Sequence, residues 1–197
     1  MSRPPRAEKP AGNDTRERLI ATAARLFHEQ GYHATGVATI AREADVNMGS
    51  LYHFFPGKED LLEATLRWRL DMLRPIVTDP VEADARRGVD RVFGLLAGYR
   101  AGLQFTACRQ GCPVGNLALE LSDDHPTIRA LLDANFANWL DVVEGWLRDD
   151  ADRLGRVDFR ALAGLVLTVM EGGIMRARAS ASLQPFDEST AQLRRYF

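Results

Sequence analysis

Only two of the 197 residues are cysteine and four are histidine. Cys108 and Cys112 stand four positions apart, while His28, His33, His53 and His125 are scattered, so no close-spaced ligand set for a metal is present. No metal or other cofactor is expected. The chain also lacks a glycine-rich phosphate loop after a strand, a Gly-x-Ser-x-Gly elbow and a paired-carboxylate constellation, which removes the commonest signatures of catalysis. It is not expected to be an enzyme, and no catalytic residue is assigned. There is no apolar run of about eighteen residues, and the opening SRPPRAEKPAGND has no apolar stretch of the kind a signal peptide needs. A cytoplasmic protein with no membrane contact is expected. Strand-like alternation of useful length, internal repeats and low-complexity core segments are absent too, which leaves an all-α chain.

An excess of positive charge is also missing, since the formal net charge is −2. Taken alone this argues against a nucleic-acid partner. The distribution softens the objection: eight Lys or Arg stand against six Asp or Glu up to Lys58, and seventeen against twenty-one beyond it. Four of the early acids, Glu8, Asp14, Glu17 and Glu29, precede residues 35–58, where the local field is more positive than the total implies.

Residues 35–58, TGVATIAREADVNMGSLYHFFPGK, are the most informative stretch of the chain. Val37, Ile40, Ala41 and Ala44 recur at helical spacing, Asp45-Val46-Asn47 interrupts them, and residues 48–54 resume with Leu51, Phe54 and Phe55 available for a core. Asn47 suits the cap of the second helix, because its side-chain oxygen can accept from an exposed first-turn amide. Two short helices around a tight turn form a helix-turn-helix, whose second helix enters the major groove of double-stranded DNA with its first residues at the base edges. Met48, Gly49 and Ser50 occupy that leading turn. Thr35, Thr39, Tyr52, His53 and Lys58 offer hydroxyl, imidazole and ammonium donors to phosphate oxygens, and such contacts set register rather than sequence.

Phe27, Gly31, Tyr32, Thr35, Ile40, Ala41, Val46, Leu51, Tyr52, Phe54, Lys58 and Leu61 fall where the TetR family of bacterial repressors has its signature, and the chain resembles that family closely over residues 15–66. Two positions depart from the pattern. Asp45 stands where the family usually has a turn glycine, and aspartate tolerates the left-handed conformation better than most residues. Asn47 replaces a common Ser or Thr and keeps the capping chemistry. The resemblance implies a three-helix head followed by a larger helical body, about nine helices in all, divided here as an arm at 1–13, a DNA-binding domain at 14–57 and a ligand-binding and dimerisation domain at 58–197. Arms of this kind sometimes reach DNA in the family, but Arg3, Arg6 and Lys9 are read as a solvated tail.

Asp14 and Glu17 form an Asp-x-x-Glu cap for a first helix that carries Leu19, Ile20, Ala23, Leu26 and Phe27 and ends at Gly31. A linking helix follows Lys58 to the vicinity of Pro75, and another long helix spans residues 80–105, weakly interrupted by Gly88, Gly94 and Gly98. A turn at Gln110-Gly111 leads to a short helix from Pro113 through Leu121, and Ser122 to Pro126 ends it and starts the next. There Ile128, Leu132, Asn135, Phe136, Trp139, Val143, Trp146 and Leu147 follow the helical period. Residues 159–179 differ, because Leu162, Ala163, Leu165, Val166, Leu167, Val169, Met170 and Ile174 surround nearly the whole circumference. A helix apolar all round must be covered on more than one side, and the remaining chain is too short to do so. It is read as the seam of a homodimer formed by the C-terminal helices, in a four-helix bundle that places two heads on a palindromic operator. The last helix, 187–197, is short for this architecture.

The family resemblance further implies a small-molecule cavity within the body, whose filling reorients the head through the linking helix. Candidate lining residues are Trp68, Met72, Tyr99, Leu103, Phe105, Cys112, Asn116, Glu120, Asn135, Phe136, Trp139 and Met170. Most of the apolar members are expected to be ordinary core, whereas Asn116, Glu120 and Asn135 need partners if buried. The stretch CRQGCPVGNLALEL resembles that of a family subset, in which it forms the entrance to a short helix beside the cavity. Cys112, before Pro113 and with Arg109 nearby, has the setting of a lowered thiol pKa, so an oxidant- or electrophile-sensing repressor is one alternative; buried, inert cysteines are the preferred reading. A helical ligand-binding protein that no longer reads DNA is the other. The leading expectation is a DNA-binding transcriptional regulator, a repressor released from its operator by an unidentified small-molecule effector.

Overall fold

A computed structural model describes residues 12–84, 87–121 and 125–197. Among them are nine helices of seven or more residues and no strand. The chain divides into two compact units, 1–65 and 66–197, so the boundary falls within the fourth helix rather than at its start. The expected arm lies outside the described residues except for Gly12 and Asn13, which open the first helix.

The first unit contains α1 (Gly12–Gln30), α2 (Val37–Glu43), α3 (Met48–Phe54) and the start of α4 (Lys58–Met72). Its core is most of the apolar set read from the sequence, with Leu19, Ile20, Ala23, Leu26 and Phe27 from α1, Ile40 and Ala41 from α2, Ala44 after it, and Leu51 and Phe55 at α3, whereas Val37 and Phe54 are only half-buried. Burying each of the larger side chains contributes about 1.5–3 kcal/mol. Gly31, at φ 84°, ends α1 with its amide on the Phe27 carbonyl at 3.0 Å. Asp14 does not cap this helix as expected. Because α1 begins at Gly12, Asp14 already sits in the first turn, where the dipole favours its charge and Arg18 Nε lies 3.6 Å from Oδ2.

The second unit is built from the rest of α4, a π-helical turn (Leu73–Thr78), a short α5 (Asp79–Glu82), α6 (Gly88–Phe105), α7 (Pro113–Leu121), α8 (Pro126–Arg148), a short α9 (Ala151–Leu154), α10 (Phe159–Ser180) and α11 (Gln184–Tyr196). Pro75 does not stop the chain's helical course. The turn widens around it, so that Asp79 N donates to the carbonyl of Arg74 five residues back, which accommodates a residue with no amide hydrogen. The long helix expected at 80–105 is instead broken. Gly88 takes φ +50°, outside any right-handed helix, and α6 begins there. The first turn of α6 is capped from a distance: Val89 N donates to Asp150 Oδ2 at 2.8 Å, and a Cβ on Gly88 would lie 2.0 Å from the Asp150 carboxyl carbon. Only glycine leaves room for that carboxylate.

Helix α8 is the hub of this unit, packing against α6, α7 and α10, and α10 also lies along α11. Its buried face is Ile128, Leu131, Leu132, Asn135, Trp139, Val143, Trp146 and Leu147. Phe136, expected among them, is only partly covered. Two amides fasten α8 to the later part of α4, with Asn135 Nδ2 donating to Leu66 O at 3.2 Å and Asn138 Nδ2 to Leu70 O at 3.2 Å. Residues 122–124, expected to join α7 to α8, lie outside the described residues. The last helix starts at Gln184, three residues earlier than expected, because Pro185 fits its first turn.

Candidate DNA-reading head and body cavities

Asp45 adopts φ 52° between α2 and α3, the left-handed turn for which glycine is usual. Val46 N returns to Ala41 O at 2.9 Å and Asp45 N to Arg42 O at 3.2 Å, so backbone bonds hold the turn. Asn47 caps α3 as its chemistry suggested, Oδ1 accepting from Ser50 N at 2.8 Å. Leu51 and Phe55 face inward, which leaves Met48, Gly49, Tyr52 and His53 exposed and Ser50 partly so. Helix α3 thus presents one polar, sterically open edge that begins at its N-terminus. A Cβ at Gly49 would touch only Asn47 Oδ1, at 3.4 Å, so folding does not demand glycine there.

Other members of the expected phosphate set divide. Thr39 is half-buried on α2. Lys58 stands at the start of α4 with Nζ 4.1 Å from the centroid of the Tyr32 ring, and Tyr32 itself lies 5.5 Å from Phe27. This cation–π contact positions the ammonium at a helix start without neutralising it. Thr35 is a correction. Its side chain is fully buried, and Oγ1 donates to Gly31 O at 2.7 Å, with Leu26 O at 3.3 Å, so it closes the end of α1 instead of meeting phosphate.

Six of the twelve body candidates, Trp68, Met72, Tyr99, Cys112, Asn135 and Trp139, converge on one small, partly open inner cavity of about 90 Å3, which Arg69 also lines. A second and much larger cleft, about 800 Å3, lies along α7, α8 and α10 and is partly open; Cys112, Asn116 and Phe136 line it. The remaining candidates fall elsewhere. Phe105 is 92% exposed at the end of α6, while Leu103 and Met170 are core residues, and Glu120 lines neither cavity. Two polar candidates found partners within the protein: Asn135 donates to Leu131 O as well as Leu66 O, and Asn116 Oδ1 accepts from Arg178 Nη1 at 2.8 Å.

Cys112 does sit at the N-terminus of α7, its sulfur accepting from Gly115 N at 3.4 Å. The expected activation fails nonetheless. Burial raises the thiol pKa, and the neighbouring Glu171 carboxylate, hydrogen-bonded to the thiol, raises it further. The charge hydrogen-bonded to the thiol is that of Glu171, with the half-buried Arg69 also near and Arg109 exposed, so the lowered-pKa setting expected from Arg109 is not found. Burial also holds the Tyr99 hydroxyl well above its ordinary pKa and lowers that of the Arg69 guanidinium. Glu171 was absent from the expected set. It lines the larger cleft with its pKa raised by burial, and it is the single charged residue between Arg160 and Arg176, a signal present in the sequence.

Residues 19–65 match the model of bacterial regulatory proteins of the TetR family, and residues 89–192 match the C-terminal domain of LmrA/YxaF-like transcriptional regulators. The chain is 30% identical to the HTH-type transcriptional regulator LmrA of Bacillus subtilis across 87% of its own length and 90% of the relative's. It is 27% identical to the HTH-type transcriptional repressor DhaR of a Mycobacterium species, over 90% and 89% of the two chains. The crystal structure of a TetR regulatory protein from Rhodobacter sphaeroides superimposes with a TM-score of 0.84 at 25% identity, covering 93% of this chain and 98% of that one. With a capped recognition helix on an all-α head and a body matched across both halves, this chain belongs to the TetR family of DNA-binding transcriptional regulators.

Proposed function

We propose that the protein is a cytoplasmic repressor that holds a palindromic operator as a homodimer and leaves it when a small molecule occupies the body. The observation that carries the reading is the open edge of α3, where Met48, Gly49, Tyr52 and His53 are exposed although the helix is only seven residues long. Met48, Gly49 and Ser50 read base edges, with Asn47 holding their turn. Tyr52, His53, Thr39 and Lys58 contact phosphate. DhaR, a relative over nine-tenths of the chain, is named a repressor, which supports that sense of regulation.

The dimer seam is assigned to the uncovered side of α10. Ala161, Leu165, Thr168, Gly172, Met175 and Ala179 recur at alternating steps of four and three and are exposed or half-buried, whereas Leu162, Val166, Met170 and Ile174 face the unit's own core. That spacing is the period of a helix-to-helix seam, and its small residues allow close approach. The expected all-round burial of α10 is therefore split, one side by its own chain and one by a second copy. Effector binding acts by population shift: the ligand favours the form whose heads are wrongly spaced, and DNA affinity falls by the same coupling free energy. Helix α4, continuous from Lys58 in the first unit to Met72 at the small cavity, provides a covalent path for that coupling.

Sequencing genomic fragments selected by the purified dimer tests the reading. Inverted repeats with half-sites spaced by whole helical turns, bound with strong salt dependence, are expected. Recovery of no fragment above background would overturn it.

A further inference from the structure

Glu171 is the one acidic side chain lining the large cleft, and its surroundings do not satisfy it. The carboxylate lies against the first turn of α7, where Oε2 would be 2.5 Å from a Cβ on Gly115, so glycine is what lets it approach. One interaction, the thiol of Cys112, is accounted for. Oε1 is buried and has no hydrogen-bond partner. A buried acceptor left unmade is a net cost, greater when it is charged, so a group that supplies a donor there removes that cost. Around it the cleft is mostly apolar, with Leu119, Phe136, Leu167 and Met175 among its lining, and its one cation, Arg178, is hydrogen-bonded to Asn116. Its volume of about 800 Å3 lies within the range of roughly 300–1,000 Å3 typical of small-molecule sites. By contrast the inner cavity of about 90 Å3 is too small for an organic effector.

We infer that the large cleft is the effector site and that Glu171 is its recognition residue, selecting a mostly apolar molecule that presents one hydrogen-bond donor, either a hydroxyl or a protonated amine. This rests on the ligand-responsive reading above. Two features of the fold favour the cleft over a mere packing defect. Its open rim includes Thr168, Gly172, Met175 and Ala179, four members of the α10 stripe, so a second copy on that stripe closes the site and excludes water. Cys112 borders both the cleft and the inner cavity at Trp68, Arg69 and Met72 on α4. A ligand donor fills Oε1 of the same carboxylate that holds the thiol, so binding bears on Cys112, and any shift of Cys112 is felt at α4. Burial already holds the Glu171 pKa above the usual carboxylate value, and an incoming ammonium would lower it again.

Three probes sharing one apolar body test this on the full-length protein without DNA: naphthalene, 2-naphthol and 2-naphthylmethylammonium, with binding followed by calorimetry or by ligand-observed magnetic resonance. At least one donor-bearing probe is expected to bind about tenfold or more tighter than naphthalene, since a hydrogen bond to a charged group exceeds the 1.4 kcal/mol that makes a factor of ten. Glu171→Leu abolishes that preference while naphthalene binding stays. Glu171→Gln keeps an acceptor but no charge, so it retains the preference for the naphthol and loses that for the ammonium, which separates the two donor sources. Equal binding of all three probes to the wild type, no binding of any, or a preference that survives Glu171→Leu would overturn the assignment. Operator binding by each variant, measured separately, confirms its fold and distinguishes failure of this inference from failure of the repressor reading.

Discussion

Side chains at the head do different jobs even when their chemistry is alike, and two of them make opposite predictions. Tyr52 is exposed on α3, and Lys58 is half-buried at the start of α4 with its ammonium over the Tyr32 ring. Lys58→Ala should weaken binding to all DNA sequences about equally and lower the slope of log affinity against log salt by about 0.9 per head, while Tyr52→Phe weakens binding with little change in slope. Titrations at several salt concentrations read both, and an unchanged affinity in the two variants would remove the phosphate assignment. Thr35 behaves otherwise, because its buried hydroxyl serves Gly31 O. Thr35→Val should lower stability by about 1–2 kcal/mol in urea unfolding and leave the salt slope unchanged. Thr35 was misread from the sequence for a physical reason. A hydroxyl is equally fit to meet a phosphate or a helix-end carbonyl, and only the return of the chain after Gly31 decides which is nearer.

Helices were legible wherever periodicity and caps agreed, as in α3, where Asn47 followed the interruption and Leu51 anchored the core side. They were illegible where the deciding contact came from far along the chain. The break before α6 depends on Asp150, sixty-one residues beyond the amide it caps, and nothing local in residues 79–105 announces it. Gly88 looked like a weak helix interior because an isolated glycine there costs only about 1 kcal/mol, whereas its φ of +50° and the carboxylate against it make the position strict. Gly88→Ala should therefore cost well over that, about 2 kcal/mol or more, by combining left-handed strain with displacement of Asp150. Asp150→Ala should cost about 1 kcal/mol as the loss of a helix cap. In the double variant the carboxylate clash is gone, so the total should fall below the sum of the single effects. Urea unfolding of the four proteins measures the coupling, and strict additivity would contradict the contact.

At the scale of the whole molecule, the sequence carried one excess that a single chain cannot absorb, the apolar circumference of residues 159–179. Half of it meets α6, α8 and α11 within the second unit, and the stripe from Ala161 to Ala179 is left over. Leu165 and Met175, 39% and 57% exposed, are its largest members. Carboxylates placed at both positions would be desolvated without a partner in the seam, and because the two-fold operation sets the same stripe of each copy against the other, their like charges would also repel across it. Leu165→Glu combined with Met175→Glu should thus convert the protein to a monomer in sedimentation runs while helix content, read by circular dichroism, stays near that of the parent. Each head would still meet DNA through the same α3 edge, but the second head would no longer be held at high effective concentration, so operator affinity should fall by about 10²-fold or more. The excess of affinity for an intact palindrome over a single half-site should vanish with it. A variant that remained dimeric would move the seam off this face of α10, and one that became monomeric yet kept full operator affinity would show that the two heads read DNA independently.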